Sequence, residues 1–262
     1  MKARANGIEI NCVVEGSGPW LAMSHSLACN LAMWDEQAAL LSKRFKVLRF
    51  DTRGHGRSDA PAGAYTLELL ADDASALFDA LGVRDAHWVG LSMGGMIGQT
   101  FALKHPGFFK SLVLADTTSR YPAEAAPMWV DRVKIAEAQG MEPLVEPTLA
   151  RWFTESYRKT RPERIKPTAD AIRSTPVPGY AGCCNAIPKI NVTARLKEIK
   201  CPALVIVGAD DPGTPVSMAR EIQENLPGAE LVVIPSAAHL ANIEQPEAFN
   251  AALVRFYDRI GA

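Results

Sequence analysis

Short aliphatic runs alternate along this chain with longer stretches whose apolar positions recur at helical spacing, and that alternation is interrupted once. Residues 7–14 alternate as a half-buried strand does, and Gly16-Ser17-Gly18-Pro19 marks the turn after it. Trp20-Leu21-Ala22-Met23, residues 45–50, His87-Trp88-Val89, residues 111–116, residues 203–207 and residues 230–234 read as further strands. Between them, residues 34–41, 67–81, 96–103, 216–226 and 246–260 have helical spacing, with Gly82 closing the second. Near-continuous aliphatic strands separated by helices predict an α/β fold: a mostly parallel, twisted sheet flanked on both faces by helices.

From about Ser119 to Ile199 the strand-like runs stop. Short helical stretches punctuated by prolines take their place, among them residues 128–138, with Pro127 at the first helical position and Gly140 just past the end, and residues 144–153. An all-helical insertion between two halves of one sheet predicts a cap over the strands' carboxyl edge, where ligands of such folds sit. The expected organisation is a core of residues 1–118 and 200–262 carrying a cap of residues 119–199, within one structural domain.

Composition bounds the partners. A formal net charge of −1 gives no global field for nucleic acid or an anionic membrane, and no apolar run approaches the roughly 20 residues that span a bilayer. The first residues lead into a strand without the apolar core of a signal peptide. The five cysteines (Cys12, Cys29, Cys183, Cys184 and Cys201) are odd in number and lack metal-ligand spacing. Neither a disulfide framework nor a metal site is expected, and a reducing cytoplasm is the expected compartment.

The chemistry centres on Val89-Gly90-Leu91-Ser92-Met93-Gly94-Gly95. A serine with glycines at minus two and plus two, between a strand and a helix, is a G-x-S-x-G nucleophile elbow. The turn is too tight for bulk on either side, and the helix N-terminus directs free amides at the reacting centre. In the chain order of such sites an acid and a histidine follow the serine. His239 is the one histidine after the insertion, in a small-residue loop behind the strand at 230–234. The acid falls in Gly208-Ala209-Asp210-Asp211-Pro212, where Asp210 and Asp211 both qualify. His239 would take the Ser92 proton, and the acid would fix the imidazole tautomer. The oxyanion needs two amides: that of Met93 and one from the loop Ser24-His25-Ser26-Leu27, assigned to Leu27. His25 either touches substrate or anchors its loop, and is kept in the substrate-binding set. His55, between two glycines and upstream of the serine, reads as part of a structural turn, and His87 and His105 as peripheral.

With these residues in place the chain resembles the α/β-hydrolase superfamily over its whole length, and within it the 3-oxoadipate enol-lactone hydrolases of aromatic catabolism. The resemblance is carried by Ser24 to Leu27 with Met33-Trp34-Asp35, by Asp51-Thr52-Arg53-Gly54-His55-Gly56-Arg57-Ser58, and by the elbow. It continues in Arg151-Trp152-Phe153-Thr154, Gly179-Tyr180-Ala181 and the run from His239 through Asn242-Ile243-Glu244 to Pro246. The family's acid lies three residues past the loop glycine, which selects Asp211. The chain departs from the family at His25 and Ala28, where asparagine and glycine are usual, and at Cys183-Cys184. The Ser-His pair resembles instead the cofactor-free haloperoxidase or perhydrolase branch.

The resemblance implies a Ser-His-Asp hydrolase of a small lactone or ester, working through an acyl-enzyme without cofactor or metal. Its alternatives are a broad carboxylesterase with perhydrolase activity and, further off, a small-molecule receptor on the same fold. A lactone with a carboxymethyl arm requires a cationic contact; Arg120 and Arg151 are the sources considered. Arg120 enters the substrate-binding set with His25, Trp129 and Trp152, while Arg151 reads as a solvated helix face. The oligomeric state is not legible.

Overall fold

The computed structural model describes residues 1–262. Its eight strands are β1 (Lys2–Ala5), β2 (Ile8–Glu15), β3 (Trp20–Ser24), β4 (Lys46–Phe50), β5 (Ala86–Leu91), β6 (Phe109–Ala115), β7 (Ala203–Gly208) and β8 (Glu230–Ile234), in one sheet of order β1-β2-β4-β3-β5-β6-β7-β8. β1, β2 and β4 pair antiparallel, and every pair from β4 to β8 is parallel. Every residue of β5 and β7 is buried, which is why those segments, His87 apart, read as continuous apolar runs rather than alternating ones. β1 was not separable from its flanks in the sequence, being four residues with only Ala5 buried.

The strand order places the site. From β3 the chain crosses to β4 on one side, whereas β5 lies on the other side of β3. The loops after β3 and β5 therefore diverge and leave a crevice at their carboxyl ends, the place where ligands bind in open parallel sheets. The serine elbow and the Ser24–Leu27 loop flank that crevice.

Between β6 and β7 the chain forms helices only: Ala126–Gln139, Glu142–Trp152, Glu155–Thr160, Pro162–Ser174 and Val177–Ala186. The two ends of the insertion are stitched together. Arg120 and Asn191 form an isolated bridge, the Val192 amide donates to the Ser119 carbonyl at 2.8 Å, and the Ser119 and Thr193 hydroxyls are 2.6 Å apart. Beyond that neck the short turn Thr193–Glu198 packs on the core helix Val216–Asn225 and buries Leu196. These contacts bring the start of the insertion, at 119–120, against its end, at 191–193.

The turn at 51–58 supports the cap from below. Asp51 accepts from the Leu31 amide, the Asn11 side-chain amide and the Arg57 amide at 2.7–2.9 Å. The buried Arg53 guanidinium grips Asp73 with two bonds of 2.6 Å. At Gly54 (φ +80°) a Cβ would lie 2.4 Å from the Cα of Gly179, so the turn and the cap helix Val177–Ala186 meet backbone to backbone. No helix is long and apolar enough to cross a membrane, and all five cysteines are free thiols.

Candidate active site

Ser92 follows β5 and caps the helix Met93–Lys104 with φ +55° and ψ −115°, a conformation that costs a non-glycine residue of order 1–3 kcal/mol and persists only when its surroundings enforce it. They do. The Ser92 amide donates to the Ala115 carbonyl at 2.8 Å, and the Thr117 hydroxyl donates to the Ser92 carbonyl at 2.7 Å. A Cβ on Gly90 would stand 2.2 Å from the Gly94 carbonyl oxygen, and one on Gly94 would stand 2.1 Å from that of Ser24. The motif glycines are required by those two approaches. The helix begins at Met93, three residues earlier than its apolar periodicity indicated, because the glycines after the serine hide the first turn.

The loops after β7 and β8 bring the acid and the histidine together. Asp211 Oδ2 lies 2.7 Å from His239 Nδ1 and accepts from the Thr214 hydroxyl at 2.6 Å; Oδ1 accepts from the amides of Gly213 and Thr214 at 2.8 and 3.1 Å. Burial opposes ionisation of this carboxyl, which is 3% exposed, but the His239 charge and hydrogen bond and the Thr214 donors outweigh it and hold it below the ordinary aspartate value. An ionised Asp211 makes Nδ1 the protonated nitrogen of a neutral His239 and leaves Nε2 its lone pair. Asp210 is exposed and faces the outer surface, so of the two candidate acids only Asp211 meets the imidazole. Thr214 completes this cluster and was missed in the sequence, where a threonine three residues past the acid carries no distinct signal.

Ser92 and His239 line one cavity of about 220 Å³ under the cap, and Leu27, Trp129 and Trp152 line it with them. The Leu27 amide donates to no protein acceptor. The Met93 amide opens its helix and so has no intrahelical acceptor. Two free amides beside the serine can stabilise an oxyanion formed there. The indole Nε1 of Trp129 and the hydroxyl of Ser26, both buried at this cavity, have no protein partner either.

Two of the expected substrate-binding residues lie elsewhere. His25 is fully buried behind its loop: Nδ1 is 2.7 Å from the Ser26 carbonyl oxygen, and Nε2 accepts from the Thr52 amide at 2.9 Å. With both nitrogens committed to backbone and the ring outside the cavity, it anchors the loop rather than lining the pocket. Burial, partly offset by Asp51, pushes the His25 imidazole below its ordinary value. The neighbouring His55 is pushed down to about 3 by burial and then by His25. Arg120 points away from the cavity and pairs on the surface with Glu221 at 2.7 Å, because the neck of the cap turns its side chain outward.

The cations of the cavity are Arg151 and Arg132. Arg151, read from sequence as a solvated face, is more than half buried at the end of the helix Glu142–Trp152; burial and then the Arg132 charge push its guanidinium down from its usual value. Arg132 lies over the Trp129 ring at 4.5 Å. Neither arginine has a carboxylate partner within the molecule. Arg132 escaped sequence reasoning although a signal existed: it stands three residues after Trp129 on one helix, hence on the same face.

The cap is also tied to the histidine loop. The Trp152 indole stacks on the His239 imidazole with centroids 6.1 Å apart, and the Leu240 amide donates to the Trp152 carbonyl at 3.1 Å. Buried Glu244 accepts from the Ala238 amide at 2.9 Å with one oxygen, and from the Thr154 amide at 3.0 Å and the Thr154 hydroxyl with the other. One carboxylate thus joins the loop before His239 to the residue that starts the third cap helix.

Residues 19–246 match the family described as alpha/beta hydrolase fold. The chain is 35% identical to 3-oxoadipate enol-lactonase 2 of Acinetobacter baylyi over 251 residues, covering 95% of this chain and 93% of the relative. The structure superposes on the enol-lactonase of Burkholderia xenovorans with a TM-score of 0.95 at 37% identity, covering 98% of this chain and 100% of that one. It superposes on a thermophilic esterase of Thermogutta terrifontis with a TM-score of 0.94 at 29% identity, covering 100% and 99%. The chain belongs to the α/β-hydrolase family, as an enzyme of its ester-hydrolysing class.

Proposed function

We propose that this enzyme hydrolyses a small lactone or ester that carries a free carboxylate, with 3-oxoadipate enol-lactone as the substrate that best fits both the site and the relatives. The observation that carries this reading is the pair of arginines, Arg132 and Arg151, lining a small cavity without a carboxylate partner of their own. Two unpaired guanidinium groups beside apolar aromatic walls suit a planar, bidentate acceptor such as a substrate carboxylate. The unpartnered Trp129 Nε1 and Ser26 hydroxyl offer further donors along the same wall. A cavity of about 220 Å³ suits a small acid and is too small for a long acyl chain.

In the mechanism that follows, His239 Nε2 takes the Ser92 proton as Oγ adds to the carbonyl carbon. The carbonyl electron pair moves to oxygen, where the Leu27 and Met93 amides receive it. Collapse expels the ring oxygen of the lactone, protonated by His239, and leaves an acyl-enzyme. Water, activated by the same imidazole, then releases the acid. Asp211 holds the tautomer and offsets the imidazolium charge throughout.

The test compares kcat/KM for the enol-lactone with that for a neutral aryl ester of similar size, in the wild type and in Arg132→Met and Arg151→Met. Each arginine substitution is expected to lower kcat/KM for the anionic substrate by about 10- to 100-fold, the worth of a charged hydrogen bond, and to leave the neutral ester nearly unchanged. Equal losses on both substrates, or a wild type that favours the neutral ester by orders of magnitude, would overturn the carboxylate reading.

A further inference from the structure

His25 stands behind the loop that carries the Leu27 amide, and its ring is held on both sides. The Thr52 amide can only donate, so Nε2, 2.9 Å from it, is the acceptor and the single ring proton resides on Nδ1. Nδ1–H therefore donates to the Ser26 carbonyl oxygen at 2.7 Å. The Cys29 amide donates to that same oxygen at 3.1 Å. The Ser26 carbonyl and the Leu27 N–H are opposite ends of one planar peptide group, so fixing the oxygen fixes the direction of the N–H. Donors on the carbonyl also polarise the group and strengthen its N–H as a donor. The ring is fully buried beside the His55 ring at 5.2 Å, and turning it would break both of its hydrogen bonds. Ala28, next after Leu27, has φ +56°, a conformation the loop holds only while its neighbours are fixed.

We propose that His25 is a positioning residue for the oxyanion site: with the Cys29 amide it locks and polarises the Ser26–Leu27 peptide, so that the Leu27 N–H is preorganised for the charge that develops on substrate oxygen. The proposal rests on the serine-hydrolase reading above. In the step concerned, the bond from Ser92 Oγ to the carbonyl carbon forms and the carbonyl π bond breaks. Its electron pair goes to the oxygen facing Leu27, and the serine proton goes to His239. A donor that need not reorient at that moment lowers the barrier and leaves ground-state binding nearly unchanged.

Asparagine and leucine have nearly the same shape, and the asparagine Nδ2 is attached to Cγ as the histidine Nδ1 is. His25→Asn keeps a donor for the Ser26 carbonyl, and His25→Leu removes it. The expected result is kcat lowered about 10- to 100-fold in His25→Leu, somewhat less than outright loss of an oxyanion donor, with KM within about threefold of wild type. His25→Asn should retain kcat within about threefold, and a trifluoromethyl ketone forming the tetrahedral adduct should lose affinity in His25→Leu in parallel with kcat. Equal loss in both variants, or no loss in His25→Leu, overturns the proposal. Where His25→Leu does not fold, His25→Asn decides alone: retained kcat supports it, and a loss above about tenfold refutes it. Ser92→Ala separates the two readings. Hydrolysis persisting in Ser92→Ala removes the nucleophile and this proposal with it, whereas hydrolysis abolished there with a flat His25 series removes only the positioning role.

Discussion

The Trp152 indole lies stacked on the His239 imidazole, 6.1 Å between centroids, while the Trp152 carbonyl accepts the amide of the next residue, Leu240. A cap residue therefore touches, through its ring, the imidazole proposed to transfer the proton, and holds that group's loop through its backbone. The wall of the pocket and the setting of the base are one piece of structure.

Trp152→Ala removes the ring and leaves the backbone bond. Truncating a buried tryptophan costs about 3–5 kcal/mol, and here also frees one face of the imidazole. Calorimetry should show a clear fall in Tm, and kcat should fall along with substrate affinity. Trp152→Phe should recover most of kcat; if it does not, stacking is not what steadies His239.

Asp211→Asn tests the acid in two ways. An amide in place of the carboxylate can present N–H to His239 Nδ1 and favour the wrong tautomer, a defect worth about 10⁴ in kcat in a serine protease of the same logic. Stability should change with pH as well. Because the folded-state carboxyl titrates below its unfolded value of about 3.9, its contribution is fully present above that pH and disappears as pH falls through the folded value. The stability gap between wild type and Asp211→Asn, read from urea unfolding, should be wide at neutral pH and narrow toward pH 3. A gap that widens on acidification would contradict the depressed pKa.

Glu244→Gln tests the tie between cap and histidine loop. The carboxylate accepts three hydrogen bonds, and the amide must turn its NH2 toward either the Ala238 or the Thr154 donors. One such clash in a buried site should cost roughly 2–3 kcal/mol of unfolding free energy. Because Glu244 lies outside the Ser92 cavity, kcat should fall through His239 while KM for a neutral ester changes little. An unchanged kcat with lowered stability would reduce Glu244 to a structural link.

Gly94→Ala should disrupt the elbow. The added methyl would meet the Ser24 carbonyl oxygen at 2.1 Å, against backbone that anchors the centre of the sheet, and such overpacking costs at least about 1–3 kcal/mol. Labelling of Ser92 by a fluorophosphonate should be slowed or lost even where the variant folds. Wild-type labelling would show that the serine tolerates a displaced helix start.

Much of the architecture was legible because its signals are local. The unbroken aliphatic runs at 203–207 and 112–115 are what strands buried on both faces must look like, and the glycines flanking Ser92 are forced by close backbone approaches at the elbow. The single histidine after the insertion and the short acidic loop after β7 narrowed the candidates to residues that the structure does bring together. The edge strand β1 was not legible, since one buried residue in four leaves almost no pattern.

The roles of individual polar side chains were less accessible, for a physical reason. Local periodicity tells which face of an element is buried, but a polar group's role depends on the partner it meets across the fold. Sequence alone determined a parallel α/β core, a helical insertion, an elbow serine and the candidate acid and histidine that follow it. Only the tertiary structure turned Arg120 outward to Glu221 and placed Arg132 and Arg151 in the cavity. The same packing put His25 between Thr52 and Ser26 rather than before the substrate, a decision made by residues distant in the chain and close in space.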